Sequence, residues 1–442
     1  MTKKYLYLPI ETKVRELDAK LLVAMEALYR GYDVIIGEDT FLQKIDQLPE
    51  GMIFHKDALS IRTELFKNAR ACGHKVAVND EEGSVVHYWE RYISKRIGEE
   101  ALSYTDLFLC WGREQYAQLS HSFKNGSAKM AVTGHPRIDL LREPFRHIYG
   151  EQTNEIILVN THFSLCNYID GADKLIALFE RTKVLTSPQD YERHARHVEY
   201  KSQLMNEYAE LVRAISEQHP KQKIVIRPHP SENPLTWETM FKHYENVVVT
   251  KEHSVGYWIK RALLVIHTGC TTAIETFYSD KPAVAYKPIK SSEFEVYLPD
   301  SISIAISNKM QCLELIEQLM DGCYDLSSYF ENASKIMEDN IDTQVSYSCE
   351  KIMNLIDNNL HPAKRNRSIK SIFLGLSIKR KIINLIKSIL RITENNKFEK
   401  TSKEEVECLL KKLTSLSSRN EMIDYKVHEL LHNVFYIESK SV

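Results

Sequence analysis

The sequence predicts an α/β protein built from two doubly wound, Rossmann-like domains. Short runs of β-forming residues alternate with helical patterns in the first third of the chain, and a second alternation of the same kind begins near residue 151. Strands that alternate with helices form parallel sheets covered by helices. The length of 442 residues also fits two domains and an appendage, because single domains usually have about 100–200 residues.

The first alternation supplies a βαβ unit at the start of the chain. Apolar residues recur at helical spacing from Val14 to Tyr29, and Gly31 stands where a glycine commonly ends a helix. The sequence therefore predicts a helix between the first two strands. The six strands predicted in this part are 4–10, 32–37, 51–56, 75–80, 106–112 and 129–134.

The second alternation predicts a second sheet of the same class. The segment 165–200 is longer than a tight α/β connection, so we expect it to carry a helix that covers or lines a ligand cleft. The five strands predicted in this part are 155–161, 223–229, 246–250, 263–269 and 282–286.

From His361 onward the pattern predicts helix alone. We therefore expect an N-terminal Rossmann-like domain over 1–150, a second Rossmann-like domain over 151–358, and a basic helical extension over 359–442. Within the extension, residues 364–391 interleave Lys and Arg with apolar residues and contain no acidic residue. Such a helix binds anionic membrane, each cation contributing about 1 kcal/mol. The alternative is a helix that packs on the protein and turns a basic face to solvent.

The composition limits the function classes. A formal charge of −2 argues against a protein that neutralises nucleic-acid phosphates over its whole surface. The eight cysteines include no CxxC pair and no zinc-site spacing. The N-terminus lacks the apolar run of a signal peptide, and no stretch reaches the roughly 18 apolar residues that span a bilayer. We expect a cytoplasmic protein, at most peripheral at the inner face of the membrane.

Three adjacent carboxylates follow the fourth predicted strand. Asp80, Glu81 and Glu82 precede Gly83, which allows a sharp turn. Open α/β sheets bind ligands at the carboxyl ends of their strands, where such a cluster could act in proton transfer. The alternative is an acidic helix N-terminus, where carboxylates favour the helix dipole.

An arginine and a histidine follow the strand at 223–229. Arg227 and His229 are held between prolines in the sequence Arg-Pro-His-Pro. Arginine is a permanent bidentate donor to phosphate, and histidine can donate a proton to a departing phosphate near neutral pH. The pair predicts a phosphate site at this strand end.

A threonine-rich segment follows the strand at 263–269 and opens a helix. Backbone N–H groups and hydroxyls at such a position bind anions, and a carboxylate one turn into the helix can accept hydrogen bonds from ribose hydroxyls. Ordinary helix capping is the alternative reading of the threonines. The candidate donor-binding residues here are His267, Thr268, Gly269, Thr271, Thr272 and Glu275.

Two further strand ends carry polar residues that we expect to line the cleft. His135 and Arg137 follow the sixth strand of the first domain, and Asn160 ends the first strand of the second domain. Loop structure is the alternative for each. The sequence has no GxxxxGK[ST], GxGxxG or HExxH motif, which removes support for kinase, dehydrogenase and metalloprotease functions.

Six segments in this order resemble the bacterial surface carbohydrate biosynthesis proteins, which are similar to GT-B glycosyltransferases. The resemblance extends over residues 5–290 and leaves out the basic tail. The segments are YLPIETKVRELDAKLLVA, NDEEG, VTGHPRIDLL, LVNTHFSLCN, RPHPSE and HTGCTTAIE.

A more distant similarity, to bacterial sialyltransferases of the GT-B class, rests on Glu81-Glu82-Gly83 and His229-Pro230. It implies that Glu81 is the general base on the acceptor, that His229 assists the departing CMP phosphate, and that Thr271 and Thr272 hold that phosphate. Asp80 extends the acidic motif, which leaves the base open among three carboxylates. It also leaves open a covalent route of the kind implied by similarity to retaining Kdo transferases.

The resemblance implies transfer of a nonulosonic acid (sialic-acid-like) or Kdo-like sugar from a CMP donor to a surface glycan such as lipopolysaccharide or capsule. No cofactor and no metal are expected, because Arg227, His229 and a helix N-terminus can neutralise one phosphate. The alternatives are a CDP-glycerol-type polyol-phosphate transferase, a nucleotide-sugar epimerase and a non-catalytic scaffold for glycan assembly. The donor sugar, the acceptor and the oligomeric state stay open.

Overall fold

The computed structural model describes residues 3–86, 88–124, 128–364, 368–374, 400–419 and 423–440. The chain divides into two compact units. Unit 1 contains residues 1–83, 96–148 and 341–442, and unit 2 contains residues 84–95 and 149–340.

The strands of the described chain agree in position with the eleven that the sequence predicts and add three more. They are β1 (Lys4–Ile10), β2 (Tyr32–Glu38), β3 (Met52–His55), β4 (Lys75–Val78), β5 (Leu107–Cys110), β6 (Lys129–Val132), β7 (Ile156–Asn160), β8 (Lys223–Arg227), β9 (Val247–Val249), β10 (Ala262–His267), β11 (Ala283–Tyr286), β12 (Ile304–Ile306), β13 (Tyr425–Leu431) and β14 (Val434–Ser439).

The helices between them are α1 (Lys13–Tyr29), α2 (Thr63–Ala71), α3 (Trp89–Arg96), α4 (Glu99–Ser103), α5 (Arg113–Ser122), α6 (Pro136–Asp139), α7 (Ala172–Arg181), α8 (Pro188–Gln218), α9 (Pro234–Phe241), α10 (Val255–Ile259), α11 (Thr272–Tyr278), α12 (Tyr297–Ser301), α13 (Lys309–Met320), α14 (Ser327–Asn340), α15 (Ser348–Asn359) and α16 (Lys403–Leu416). Short 3₁₀ turns cover Asp39–Lys44, Ser60–Arg62 and Phe145–Tyr149.

Unit 1 is built on one eight-stranded sheet in the order β13-β14-β2-β1-β3-β4-β5-β6. Strands β1 to β6 are parallel to one another. Most of their residues are buried, as expected of a parallel sheet with both faces covered. Helix α1 ends as predicted, since Gly31 has φ +74°. The doubly wound α/β architecture of this unit is therefore confirmed.

Unit 2 is built on a six-stranded parallel sheet in the order β12-β11-β10-β7-β8-β9. The long helix α8 packs on one face of the sheet, where Leu204, Tyr208 and Ile215 are buried against Ile157 and Ile266. The segment 165–200 carries α7 and the first turns of α8, so its predicted helical content is confirmed.

The prediction of helix alone after His361 is wrong near the C-terminus. Strands β13 and β14 form an antiparallel hairpin, and β14 continues the unit 1 sheet by pairing antiparallel to β2. Gly37 permits this pairing, because a Cβ atom there would lie 2.0 Å from the carbonyl oxygen of Asn433. The side chain of Asp33 anchors the hairpin by accepting hydrogen bonds from the Tyr436 hydroxyl and the Ser439 N–H group.

The expected domain boundaries also need correction. Residues 341–358 were assigned to the second domain, but α15 belongs to unit 1. The buried carboxylate of Asp139 holds the N-terminus of α15 by accepting hydrogen bonds from the N–H groups of Ser348 and Cys349 at 3.0 and 2.9 Å. Conversely, residues 84–95 belong to unit 2.

Most of the predicted membrane-binding segment, namely 365–367 and 375–391, lies outside the described residues. The interpretation of 364–391 therefore stays a prediction. Among the residues that the structure describes, no helix is long and apolar enough to cross a bilayer. All eight cysteines carry free thiols.

Candidate functional site

The acidic motif lies at the carboxyl end of β4, as predicted, and each of its three carboxylates has a different arginine partner in unit 1. Asp80 is fully buried and pairs with Arg96, whose Nε and Nη2 atoms donate to its two oxygens at 2.6 to 3.0 Å. This fork geometry occupies both carboxylate oxygens. We therefore assign Asp80 a structural role.

Glu81 is buried between two residues of the loop that follows β6. Arg137 donates a hydrogen bond to its Oε2 at 3.1 Å, and His135 Nε2 lies 3.5 Å from its Oε1. Burial favours the protonated acid, but His135, Arg137 and Arg15 outweigh it and hold the pKa of Glu81 well below its usual value. Glu81 is therefore an ionised carboxylate. His135 and Arg137 contact Glu81 directly, and their expected position at a ligand cleft stays a prediction.

Glu82 faces α1. Its Oε1 accepts a hydrogen bond from Arg15 at 2.7 Å. Burial opposes ionisation, but Arg15 and Arg96 lower the pKa of Glu82 to about 2. The acidic motif is thus stabilised by side chains from other elements rather than by a helix N-terminus.

A further carboxyl group joins this cluster, and the sequence analysis missed it. Glu16 on α1 is 2% exposed. Its Oε1 accepts hydrogen bonds from the N–H groups of Glu11 and Thr12, whereas its Oε2 is buried without a hydrogen-bond partner. Burial raises the pKa of Glu16 to about 7, the charge of Glu81 adds to the rise, and Lys56 opposes it. Glu16 reads as an ordinary helix residue in the sequence, since only tertiary packing brings it to the cluster.

In unit 2, three predicted residues occupy the last positions of three adjacent strands. Asn160 ends β7, and its register partners are Arg227 on β8 and His267 on β10. All three are buried. Parallel strands end at one edge of the sheet, which is where open α/β sheets bind ligands. The structure therefore brings together in one row three residues that lie 67 and 40 positions apart in the sequence.

The loop after β8 is held rigidly by Glu232, which the sequence analysis did not single out. Its Oε1 accepts hydrogen bonds from the His229 N–H group and the Thr161 hydroxyl, and its Oε2 accepts one from Trp237. The Lys251 ammonium donates to the Pro230 carbonyl in the same loop. These contacts fix the backbone that carries His229.

The ring of His229 is oriented by its Nδ1 atom. Nδ1 accepts a hydrogen bond from the Ser231 N–H group at 3.3 Å and lies 2.7 Å from the Ser231 hydroxyl. His162 stacks on the ring with centroids 4.5 Å apart. Because Nδ1 is an acceptor, the proton of the neutral ring is on Nε2. The neutral ring of His229 therefore carries its N–H donor on Nε2, the form that its predicted role requires.

Arg227 is buried, and its Nη2 donates to the carbonyl of His253 at 2.9 Å. That contact holds the guanidinium against the loop after β9. The residue keeps its full charge at this position, because a guanidinium does not lose its proton in proteins.

His267 is committed to the interior of unit 2. Its Nδ1 accepts a hydrogen bond from the Gly269 N–H group at 3.0 Å, and its Nε2 lies 2.8 Å from the Ser303 hydroxyl. Burial, with a smaller contribution from Lys287, lowers the pKa of His267 to about 3. Both ring nitrogens are thus occupied. His267 therefore has no free nitrogen for the expected direct contact with a donor phosphate. We assign it the role of positioning Gly269.

The segment after β10 matches the prediction of a loop that opens a helix. Gly269 has φ +76°, a conformation that favours glycine, and Thr271 precedes α11. The hydroxyl of Thr272 accepts a hydrogen bond from Asn160 Nδ2 at 2.7 Å, so it is tied to the end of β7. Glu275 is buried on the first turn of α11.

Three buried polar atoms near this loop have no hydrogen-bond partner in the described chain. They are Asn160 Oδ1, Thr268 Oγ1 and Asp300 Oδ1. Asp300 reaches the loop from α12, since a Cβ atom on Gly269 would lie 3.6 Å from its Oδ1. Buried polar groups are almost always paired, so unpaired ones mark a place where a ligand or water binds. Asp300 lies in no motif and could be found only from the structure.

Comparisons with known proteins agree with this architecture. No family model matches the chain, and no curated protein matches it. Among solved structures, the S. aureus MnaA–UDP co-structure has a TM-score of 0.50 at 14% identity and covers 83% of this chain and 99% of its own. A Listeria monocytogenes protein assigned as a UDP-N-acetylglucosamine 2-epimerase also has a TM-score of 0.50, at 13% identity, with the same coverage.

The wall teichoic acid polymerase TagF, as its H548A variant, has a TM-score of 0.52 at 10% identity and covers 81% of this chain and 89% of its own. Likenesses at this level of identity show the fold. The predicted fold class, two Rossmann-like units of the GT-B type, is confirmed.

Proposed function

We propose that this protein is a transferase of surface glycan assembly that takes a group from a nucleotide-activated donor. Unit 2 is proposed to bind the donor, and Glu81 of unit 1 is proposed to act on the acceptor hydroxyl, each on the evidence of its own unit. The row of Asn160, Arg227 and His267 at the carboxyl edge of the unit 2 sheet carries the proposal. Around that row stand a permanent cation, an oriented imidazole and unpaired buried polar atoms, which together suit a phosphate bonded to a hydroxylated group.

The transfer step follows from these groups. An oxygen of the acceptor hydroxyl forms a bond to the anomeric carbon of the donor sugar, and the bond between that carbon and the phosphate oxygen breaks. The leaving nucleoside phosphate takes the electron pair. Arg227 compensates its charge, and the Nε2–H group of His229 donates to the phosphate oxygen.

The acceptor proton passes to a carboxylate pair, which we define as Glu16 and Glu81. Glu81 alone is a weak base, because its arginine and histidine neighbours keep its pKa low. Burial is the main cause that raises the pKa of Glu16 to about 7, and the charge of Glu81 contributes to the rise. Groups that interact in this way titrate as a pair, so the two carboxylates take up one proton near neutral pH. Asp80 and Glu82 support the pair and are not themselves bases.

Two donor classes remain, and the experiment must separate them. A CMP-activated nonulosonic acid or Kdo-like sugar is the donor implied by the acidic and His-Pro motifs. A CDP-activated polyol phosphate such as CDP-glycerol is the second candidate, because the TagF wall teichoic acid polymerase shares the fold. A nucleotide-sugar epimerase is the third possible result of the experiment, since a UDP-N-acetylglucosamine 2-epimerase also shares the fold.

The test is a donor panel. The purified full chain is incubated with CMP-sialic acid, CMP-Kdo, CDP-glycerol and UDP-N-acetylglucosamine, with and without EDTA, and the released nucleotide and the sugar are measured. Release of CMP from one of the first three donors, unaffected by EDTA, is the expected result. Conversion of UDP-N-acetylglucosamine to its epimer without nucleotide release assigns an epimerase instead. No reaction with any donor, together with no nucleotide binding, refutes the proposal.

The acceptor is proposed to be a glycan or lipid-linked glycan at the inner face of the cytoplasmic membrane. This part rests on the basic segment 364–391 and on the resemblance of the motifs to surface carbohydrate enzymes. Replacing Lys379, Arg380, Lys381 and Lys387 together by Gln is the suitable test, because it changes charge without removing chain. Loss of co-sedimentation with phosphatidylserine vesicles supports membrane contact, and unchanged sedimentation contradicts it.

A further inference from the structure

A lysine from the long helix α8 reaches the loops at the carboxyl edge of the unit 2 sheet. Lys201 is 9% exposed, and its Nζ lies 5.8 Å from the centre of the Phe163 ring, in the loop after β7. Burial lowers the pKa of Lys201, while four groups around the ammonium oppose that shift: Cys270 in the loop after β10, Cys166 in the loop after β7, Glu232 in the loop after β8, and Asp300 on α12. The ammonium therefore lies among the loops of all three strands that form the row of Asn160, Arg227 and His267.

The geometry of α8 explains how the lysine reaches this place. Lys201, Leu204, Met205 and Tyr208 have the i, i+3, i+4, i+7 spacing of one helix face, and all four are buried. The hydroxyl of Tyr208 donates to the carbonyl of His267, the last residue of β10. Lys201 precedes Tyr208 by two turns, which is about 10 Å along the axis. The apolar face of α8 thus ends in a cation just beyond the strand ends.

This ammonium has no hydrogen bond and no ion pair in the described chain. Glu232 does not serve as its partner, because its two oxygens accept hydrogen bonds from His229, Thr161 and Trp237. Burial of the side chain disfavours the charged form and lowers the pKa of Lys201. An anion bound at these strand ends would supply the partner that the ammonium lacks.

We infer that Lys201 is a ligand for the phosphate of the nucleotide donor at the carboxyl edge of the unit 2 sheet. The inference rests on the proposed function and adds to it a residue outside every motif of the sequence. Lys201 acts with Arg227 as the second cation of the site. The free-energy cost of burying the Lys201 charge in the ligand-free protein is offset when the anion binds.

The experiment compares Lys201→Met with the wild-type full chain and with Lys223→Met, an exposed lysine at the opposite end of β8. Methionine keeps the length and the apolar contacts of the side chain and removes the charge. We expect Lys201→Met to bind CMP at least 10-fold more weakly by calorimetry, and to melt at a higher temperature than wild type without ligand. Lys223→Met should change neither quantity. If Lys201 only stabilises Glu232, Lys201→Met should melt at a lower temperature than wild type and should bind CMP as wild type does.

Proton linkage provides a second readout that does not depend on the stability of one variant. Because burial lowers the pKa of Lys201, binding of a phosphate should draw protons onto it, and calorimetry over a series of alkaline pH values in buffers of different ionisation enthalpy measures this uptake. Neither Lys201→Arg nor Lys201→Gln has a side chain that can take up a proton at these pH values. In both variants the proton uptake should therefore fall to what other groups contribute. If wild type binds none of CMP, CDP and UDP, the proposed function fails. If wild type binds a nucleotide and the Lys201 variants bind it equally well with equal proton uptake, only the Lys201 inference fails.

Discussion

Asn160 and Arg227 are register partners at the last residues of β7 and β8. Asn160 donates from Nδ2 to the Thr272 hydroxyl, while Arg227 donates to the His253 carbonyl, so the two side chains are fixed to different loops. The strand ends and the loops that follow them are therefore one connected structure. A change at either residue should affect ligand binding more than it affects the sheet.

Replacing His229 tests the proposed proton donor. His229→Gln should lower turnover by roughly 10²-fold, the usual scale for a positioned acid, with little change in melting temperature. Steady-state kinetics with the active donor of the panel measure the effect. His243→Gln is the matched control, because His243 is an exposed histidine of the same unit. A His229→Gln variant with wild-type turnover excludes the assignment.

The carboxylate pair predicts a pH dependence. Glu16 carries a proton below its pKa of about 7 and can accept one only above it. The value of kcat/KM should therefore rise with pH through an inflection near 7. Glu16→Gln should abolish the inflection. Glu81→Gln removes the charge that raises the pKa of Glu16, so it should shift the inflection to lower pH, and it should lower turnover while CMP binding is retained.

The comparison within the acidic motif separates the three carboxylates. If Glu81→Gln and Glu16→Gln both transfer normally, the carboxylate pair is not the proton acceptor. If Glu82→Gln alone is inactive, the motif is catalytic but the assignment within it is wrong.

Asp80 should affect stability rather than chemistry. Asp80→Asn removes the charge that Arg96 pairs with in a bidentate geometry, and the Asp80 side chain is fully buried. Hydrogen bonds to charged groups contribute about 2 kcal/mol, and we expect a loss of that order in the free energy of unfolding of unit 1. Urea denaturation measures it. Asp46→Asn, on the same unit but outside the motif, is the control, and an equal loss in both variants argues against a specific role of the Arg96 pair.

His267 should make unit 2 sensitive to acid. Its pKa is about 3 in the folded protein and about 6.5 when unfolded, so the unfolded chain binds more protons between these values. The free energy of unfolding therefore decreases as pH falls below 6.5, and it continues to decrease toward pH 3. Between pH 7 and 4.5 the residue should account for about 2 kcal/mol of that loss. Denaturation of wild type and His267→Gln at both values gives the difference, and parallel curves would falsify the linkage.

Truncation after Leu360 should unfold unit 1. It removes β14, which pairs with β2, and α16, whose Val406, Leu410 and Leu413 are buried. Without these elements the edge of β2 is exposed and the apolar contacts of α16 are lost, so part of the core is removed. Circular dichroism and solubility of the 1–360 chain check this. A stable, folded 1–360 chain shows instead that the C-terminal residues are dispensable.

The sequence by itself determined the local and periodic features of the protein. Eleven strands and helix α1 were predicted at their observed places, because buried parallel strands are continuous runs of β-branched and aromatic residues and α1 repeats its apolar residues at helical spacing. The strand-end positions of Glu81, Arg227 and His229 followed from the same reasoning, since the ends of parallel strands meet at one edge.

Only the tertiary structure decided which residues act together. Lys201 lies on a helix with no motif around it, and nothing in the segment that contains Glu16 marks that residue, so only packing shows that both side chains are buried. His267 was expected at a phosphate, but long-range contacts with Gly269 and Ser303 occupy both of its nitrogens. The C-terminal hairpin was missed for the same reason. Its pairing with β2 joins residues about 400 positions apart, and no local pattern in the sequence records a contact over that distance.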